Sequence, residues 1–81
     1  MNRLEVYEKF EKQMLAISQY LKELRFAENQ SQSEVSYRTG IHRNSISNIE
    51  NSKNYEILTL LELCDYYQIS VSELFSINDE T

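Results

Sequence analysis

In 81 residues there is no proline and a single glycine, Gly40. Sheet-rich folds reverse the chain every few residues and rely on Gly and Pro to do it. A chain almost without either can make few tight turns, so an all-α fold is expected. Length adds a second limit. A chain this short buries roughly 60% of the surface it exposes when unfolded, which requires one compact domain with an efficient core. One Cys, Cys64, excludes an internal disulfide, and with one His, His42, the grouped set of about four Cys or His ligands that a structural zinc needs is missing. No apolar run approaches the roughly 18 residues of a membrane span, and Met1-Asn2-Arg3-Leu4-Glu5 is no apolar signal region. A cytoplasmic protein is expected, with no metal, cofactor or small-molecule ligand.

Apolar and aromatic residues recur three and four apart at Tyr7, Phe10, Met14, Ile17, Leu21 and Leu24. That is the stripe of one helix from about residue 3 to 28, with Asn29 suited to the left-handed conformation that ends it. Ser31 with Glu34 forms a capping box that starts a second helix, Gln32 to Arg38, with Val35 inward and a small Ser36. Thr39-Gly40-Ile41 breaks it, and Gly40 is placed where two short helices must turn sharply with φ > 0. A third helix, about Arg43 to Asn51, follows an N-cap at His42 and buries Ile46 and Ile49. After the polar loop Asn51-Ser52-Lys53-Asn54, a fourth helix from about Glu56 to Tyr67 is expected to bury Ile57, Leu60, Leu61, Leu63 and Cys64. Ser70 and Glu73 cap a short fifth helix carrying Val71, Leu74 and Phe75. The end of the chain, from Ser76 or Ile77 to Thr81, should fray.

The net charge of −5 is a poor match for a polyanionic partner, but it is unevenly placed. Residues 1–28 balance five bases against five acids, and residues 29–55 set Arg38, Arg43 and Lys53 against Glu34 and Glu50. Residues 56–81 carry only acids: Glu56, Glu62, Asp65, Glu73, Asp79 and Glu80. The middle is therefore mildly basic, and rich in Asn, Gln and Ser; the acidic third reads as a solvated surface facing away from any anion.

Two short helices joined by a Gly-containing turn, Gln32 to Asn51, make a helix-turn-helix unit. The second helix is slim enough for the DNA major groove, and its exposed face should carry Arg43, Asn44, Ser47 and Asn48. Arg43 can donate twice to guanine, and Asn44 or Asn48 can pair with adenine. The free N–H groups opening the first helix attract phosphate, and Gln32 can add its amide. Cys64 reads as a core residue, His42 as a cap or phosphate neighbour, and Tyr66 and Tyr67 as packing residues.

From about Ile17 to Phe75 the chain resembles the phage Cro and repressor family of helix-turn-helix domains. The resemblance rests on Ile17…Leu21…Leu24-Arg25, on Ser31-Gln32-Ser33-Glu34-Val35-Ser36, on Gly40-Ile41-His42-Arg43-Asn44-Ser45-Ile46-Ser47-Asn48-Ile49-Glu50, and on Ile69-Ser70-Val71-Ser72-Glu73-Leu74-Phe75. It implies a five-helix lambda-repressor-like domain, to which the apolar stripe adds an extended first helix. It also implies base reading by Arg43, Asn44, Ser47 and Asn48, and a partly buried ion pair of Arg25 with Glu50. Backbone contacts are implied for Gln32, Asn51 and Lys53; Ser31 and Arg38 are further candidates near the unit. Gln30 and Thr39 stand where the family usually has leucine, Tyr55 where it has proline and Asn51 where it has glycine.

The expected organisation is an N-terminal extension at 1–14, a DNA-binding domain at 15–76 and a frayed tail at 77–81. Tyr7, Phe10 and Met14 carry the stripe beyond the minimal domain and are candidates for dimerisation. The expected function is that of a sequence-specific double-stranded DNA-binding regulator, a repressor or controller protein, acting as a homodimer on an approximate palindrome. Ile41-His42-Arg43-Asn44-Ser45-Ile46-Ser47 is similar to controller proteins of restriction–modification systems; phage repressors and antitoxins stay equally open. A protein-interaction module without strong DNA binding is the alternative, and an enzyme is not expected, because one lone His offers no catalytic set.

Overall fold

Nothing in the first third of the chain stops a helix, and in the computed structural model, which describes residues 2–77, α1 runs unbroken from Arg3 to Ala27. Asn2 starts it by accepting the Glu5 N–H at 2.9 Å. Asn29, at φ +54°, turns the chain out of it. α2 (Gln32–Thr39), α3 (Arg43–Glu50), α4 (Ile57–Tyr67) and α5 (Val71–Ser76) follow. The capping boxes at Ser31–Glu34 and Ser70–Glu73 are both formed, supplying partners for N–H groups that a helix start leaves free. Gln68, at φ +60°, ends α4 in the left-handed conformation.

Every helix sends at least one apolar side chain into a single core. Ile17 and Leu21 come from α1, Val35 from α2, Ile46 and Ile49 from α3, Leu60, Leu63 and Cys64 from α4, and Leu74 from α5, with Ile41 added from the turn. Full burial of such side chains stabilises by about 1.5–3 kcal/mol each. A patch of hydroxyls completes the seam between α1 and the end of α3. The buried Ser18 hydroxyl donates to the Ile49 carbonyl at 2.6 Å, accepts from Ser52 at 2.9 Å and meets the Tyr55 hydroxyl. Tyr55, in turn, donates to the Met14 carbonyl at 2.7 Å.

The positions that depart from the family pattern find polar partners. Gln30 accepts from the Tyr66 hydroxyl at 2.7 Å, and Thr39 donates to the Val35 carbonyl at 2.7 Å while accepting the Ile41 N–H at 3.1 Å. The expected burial of Ile57 and Leu61 is not found: they are 64% and 45% exposed. α4 is apolar nearly all round, and only its Thr59, Leu60, Leu63 and Cys64 side meets the body. Periodicity could not choose between adjacent apolar positions.

Tyr7 and Phe10 extend past the body and are exposed, whereas Met14 is half-buried. At the C-terminal end Ser76 is still helical and Ile77 packs against the core; the rest of the expected tail, 78–81, lies outside the described residues. No helix is long and apolar enough to cross a membrane among the described residues.

Candidate nucleic-acid interface

The turn between α2 and α3 is set by one residue. Gly40 stands at φ +82°, and a Cβ there would have nothing within 4 Å, so glycine is required by backbone conformation and not by crowding. The Ser36 hydroxyl donates to the Ile41 carbonyl at 2.6 Å, and Ile41 itself is buried, which pins the turn to the body. His42 then acts as N-cap: its Nδ1 accepts the Asn44 N–H at 3.1 Å. This is an unusual use of histidine, since caps are mostly small oxygen-bearing residues.

α3 is held by its inner face, with Ile46, Ile49 and Glu50 buried. Its outer face presents Arg43 and Asn44, both exposed on the first turn, followed by Ser47 and Asn48, both half-buried one turn later. Ser47 Oγ accepts from the Asn51 side-chain amide at 3.2 Å. The first two side chains are thus free to meet a ligand, and the second pair is partly shielded by its own helix and loop.

A buried ion pair orients this helix. Arg25 Nε donates to Glu50 Oε2 at 2.8 Å and its Nη2 to Oε1 at 2.9 Å, a bidentate pairing. Nη1 donates to the Gln30 carbonyl at 2.9 Å, so the guanidinium also holds the loop before α2. The hydrogen bonds that Arg25 donates to Glu50 raise its pKa above the ordinary value, against the opposing effect of burial. Gln32 joins the same carboxylate, its amide donating to Glu50 Oε1 at 3.1 Å. Glu50 is therefore the point where α1, α2 and α3 are tied.

Among the remaining candidates, Ser31 is engaged in its cap, accepting the Glu34 N–H at 3.0 Å. Asn51 and Lys53 are exposed in the loop after α3. Arg38 is exposed at the far end of α2, in a shallow cleft shared with Glu62 and Asp65. Those carboxylates compete with any phosphate for it. One residue near the site has surroundings that its packing pattern does not announce: Tyr67. Its hydroxyl is buried without a hydrogen-bond partner, and burial, reinforced by the Glu50 charge, pushes its pKa up to about 12. No sequence signal marks it, because its proximity to residues 25 and 50 is purely tertiary. Cys64 is buried, and desolvation raises its thiol pKa, as befits an inert core residue.

Residues 20–80 match the family model for the Cro/C1-type HTH DNA-binding domain. Neither the curated proteins nor the solved structures yield a match.

Proposed function

The chain belongs to the Cro/C1-type helix-turn-helix DNA-binding domain family, and from that premise we propose that it is a sequence-specific double-stranded DNA-binding transcriptional regulator, a repressor or controller protein, acting as a homodimer on an approximately palindromic operator. The observation that carries the proposal is the first turn of α3, where Arg43 and Asn44 stand exposed on a helix whose opposite face is buried and tied down through Glu50. Base readers must be free at the tip and rigid at the root, and this helix satisfies both conditions.

In this reading Arg43, Asn44, Ser47 and Asn48 meet base edges, while Gln32, Ser31, Arg38, Asn51 and Lys53 address the backbone. Gln32 has a double duty, since its amide already braces Glu50. Residues 15–76 form the DNA-binding unit. Residues 1–14 serve dimerisation through Tyr7, Phe10 and Met14, because a stripe that outruns its own core leaves aromatic surface for a partner. The net charge of −5 favours a second reading, a protein-interaction module with weak DNA binding. Selection of bound duplexes from random DNA, followed by gel-shift titration at two salt concentrations, separates the two. Recovery of a common, inverted-repeat sequence is the expected result. Equal, weak binding to all duplexes at both salts would leave the interaction module.

A further inference from the structure

The helix that carries the proposed base readers is closed at its start by one residue. The His42 carbonyl accepts the Ser45 and Ile46 N–H groups at 2.9 and 3.3 Å, and its Nδ1 accepts the Asn44 N–H at 3.1 Å. A ring nitrogen that accepts an N–H carries no proton, so this cap exists only in the neutral imidazole with its hydrogen on Nε2. The other side-chain caps are oxygens that do not titrate: Asn2 opens α1, and Ser31 and Ser70 open α2 and α5. We propose that His42 is a pH-sensitive positioning residue, which in its neutral form holds Arg43 and Asn44 in reading geometry and on protonation releases them. The proposal rests on the DNA reading given above.

Charge at the start of α3 works against the protonated cap. The first turns of α1, α2 and α5 hold Glu5, Glu34 and Glu73, and that of α3 holds no acid. A proton on Nδ1 removes the acceptor, frees the Asn44 N–H and sets a cation at the positive end of the helix, next to Arg43. The surrounding elements bring few compensating groups. On α2, Arg38 stands in the last turn near His42, while Glu34 is held in its capping box at the far end. On α4, Glu62 and Asp65 reach the cleft beside Arg38 and Thr39. The acid of α3, Glu50, is paired with Arg25 of α1 at the opposite end of the helix. No carboxylate forms an ion pair with His42 among the described residues. His42 is also the single histidine of the chain, so no second imidazole titrates with it.

The test is fluorescence anisotropy with the selected operator and with a scrambled duplex, at about pH 8 and about pH 5.5, which bracket the titration of an imidazole. The ratio of the two affinities is the readout, because charge on the ring attracts any duplex alike and cancels. For wild type the ratio should fall about fivefold in acid, the change that a typical N-cap is worth. His42→Asn, whose side-chain oxygen caps without titrating, should keep the high ratio at both pH values. His42→Ala should show the low ratio at both. Nitrogen-15 spectra of the free protein at the higher pH should show the Nε2–H tautomer. A wild-type ratio that does not change with pH overturns the proposal, as does a His42→Asn ratio that falls as far as that of wild type. An Nδ1–H tautomer overturns it with no DNA present. Each of these results leaves the DNA reading standing. A wild type that binds operator and scrambled duplex equally at the higher pH removes that reading, and this proposal with it.

Discussion

Arg43 and Asn44 sit at the N-terminal end of a helix eight residues long, exposed, and bonded to nothing that holds the fold except the cap N–H of Asn44. Replacing either side chain by alanine should therefore leave the unfolding midpoint nearly unchanged while costing about 1–3 kcal/mol of specific binding and relaxing preference at one base position per half-site. Competition gel shifts against single-base operator variants read this directly; undiminished affinity in both would remove α3 as the reader. Tyr67 gives a prediction about pH. Its folded pKa is raised from 10 to about 12, so the folded state resists ionising the phenol. Burial penalises the ionised phenol only in the folded state, so stability is unaffected by this group below pH 10 and falls as pH rises from 10 to about 12. Thermal melts across that window should fall less steeply for Tyr67→Phe than for wild type. At neutral pH the same change should be nearly neutral or slightly stabilising, since the hydroxyl it removes has no partner.

At the scale of elements, three helices depend on one carboxylate. Glu50→Ala leaves the Arg25 guanidinium buried without its bidentate partner and frees the Gln32 amide. Losing one member of a buried pair costs about 3–5 kcal/mol, most of it the penalty on the charge left behind. Urea unfolding should show that loss, and operator binding should weaken even though position 50 faces inward. The turn is less sensitive. Gly40→Ala meets no neighbouring atom but must adopt φ +82°, so strain of about 1–2 kcal/mol is expected without displacement of α3. A much larger loss of stability would mean that the turn has to move to accept a side chain.

For the whole molecule the question is charge. Basic residues near the proposed interface are few, Arg38 shares its cleft with two acids, and the last third of the chain is acidic. The salt dependence of operator binding should thus be shallow for a dimer, and Lys53→Ala should make it shallower by about one released counterion per half-site. Nitrocellulose-filter binding across a salt series measures the slope. A value on the order of −10 would contradict this distribution of charge.

Much of the fold was legible without coordinates because it is local. Capping boxes at Ser31–Glu34 and Ser70–Glu73, the left-handed turns at Asn29 and Gly40, and the helical spacing of Ile17, Leu21, Ile46 and Ile49 are decided within four residues. The outer face of α3 follows from the same spacing, and the pairing of Arg25 with Glu50 came from the family resemblance. Tertiary structure alone decided the rest. Ile57 and Leu61 lie on an α4 that is apolar on several sides, and only its neighbours select which side is buried. The Gln32 bond to Glu50, the meeting of Ser18 with Tyr55, the contact of Gln13 with Phe75 and the enclosure of the Tyr67 hydroxyl join residues far apart in the chain. Helical periodicity reports which way a side chain points along its own helix; what stands opposite depends on how the helices pack, and no local pattern encodes that.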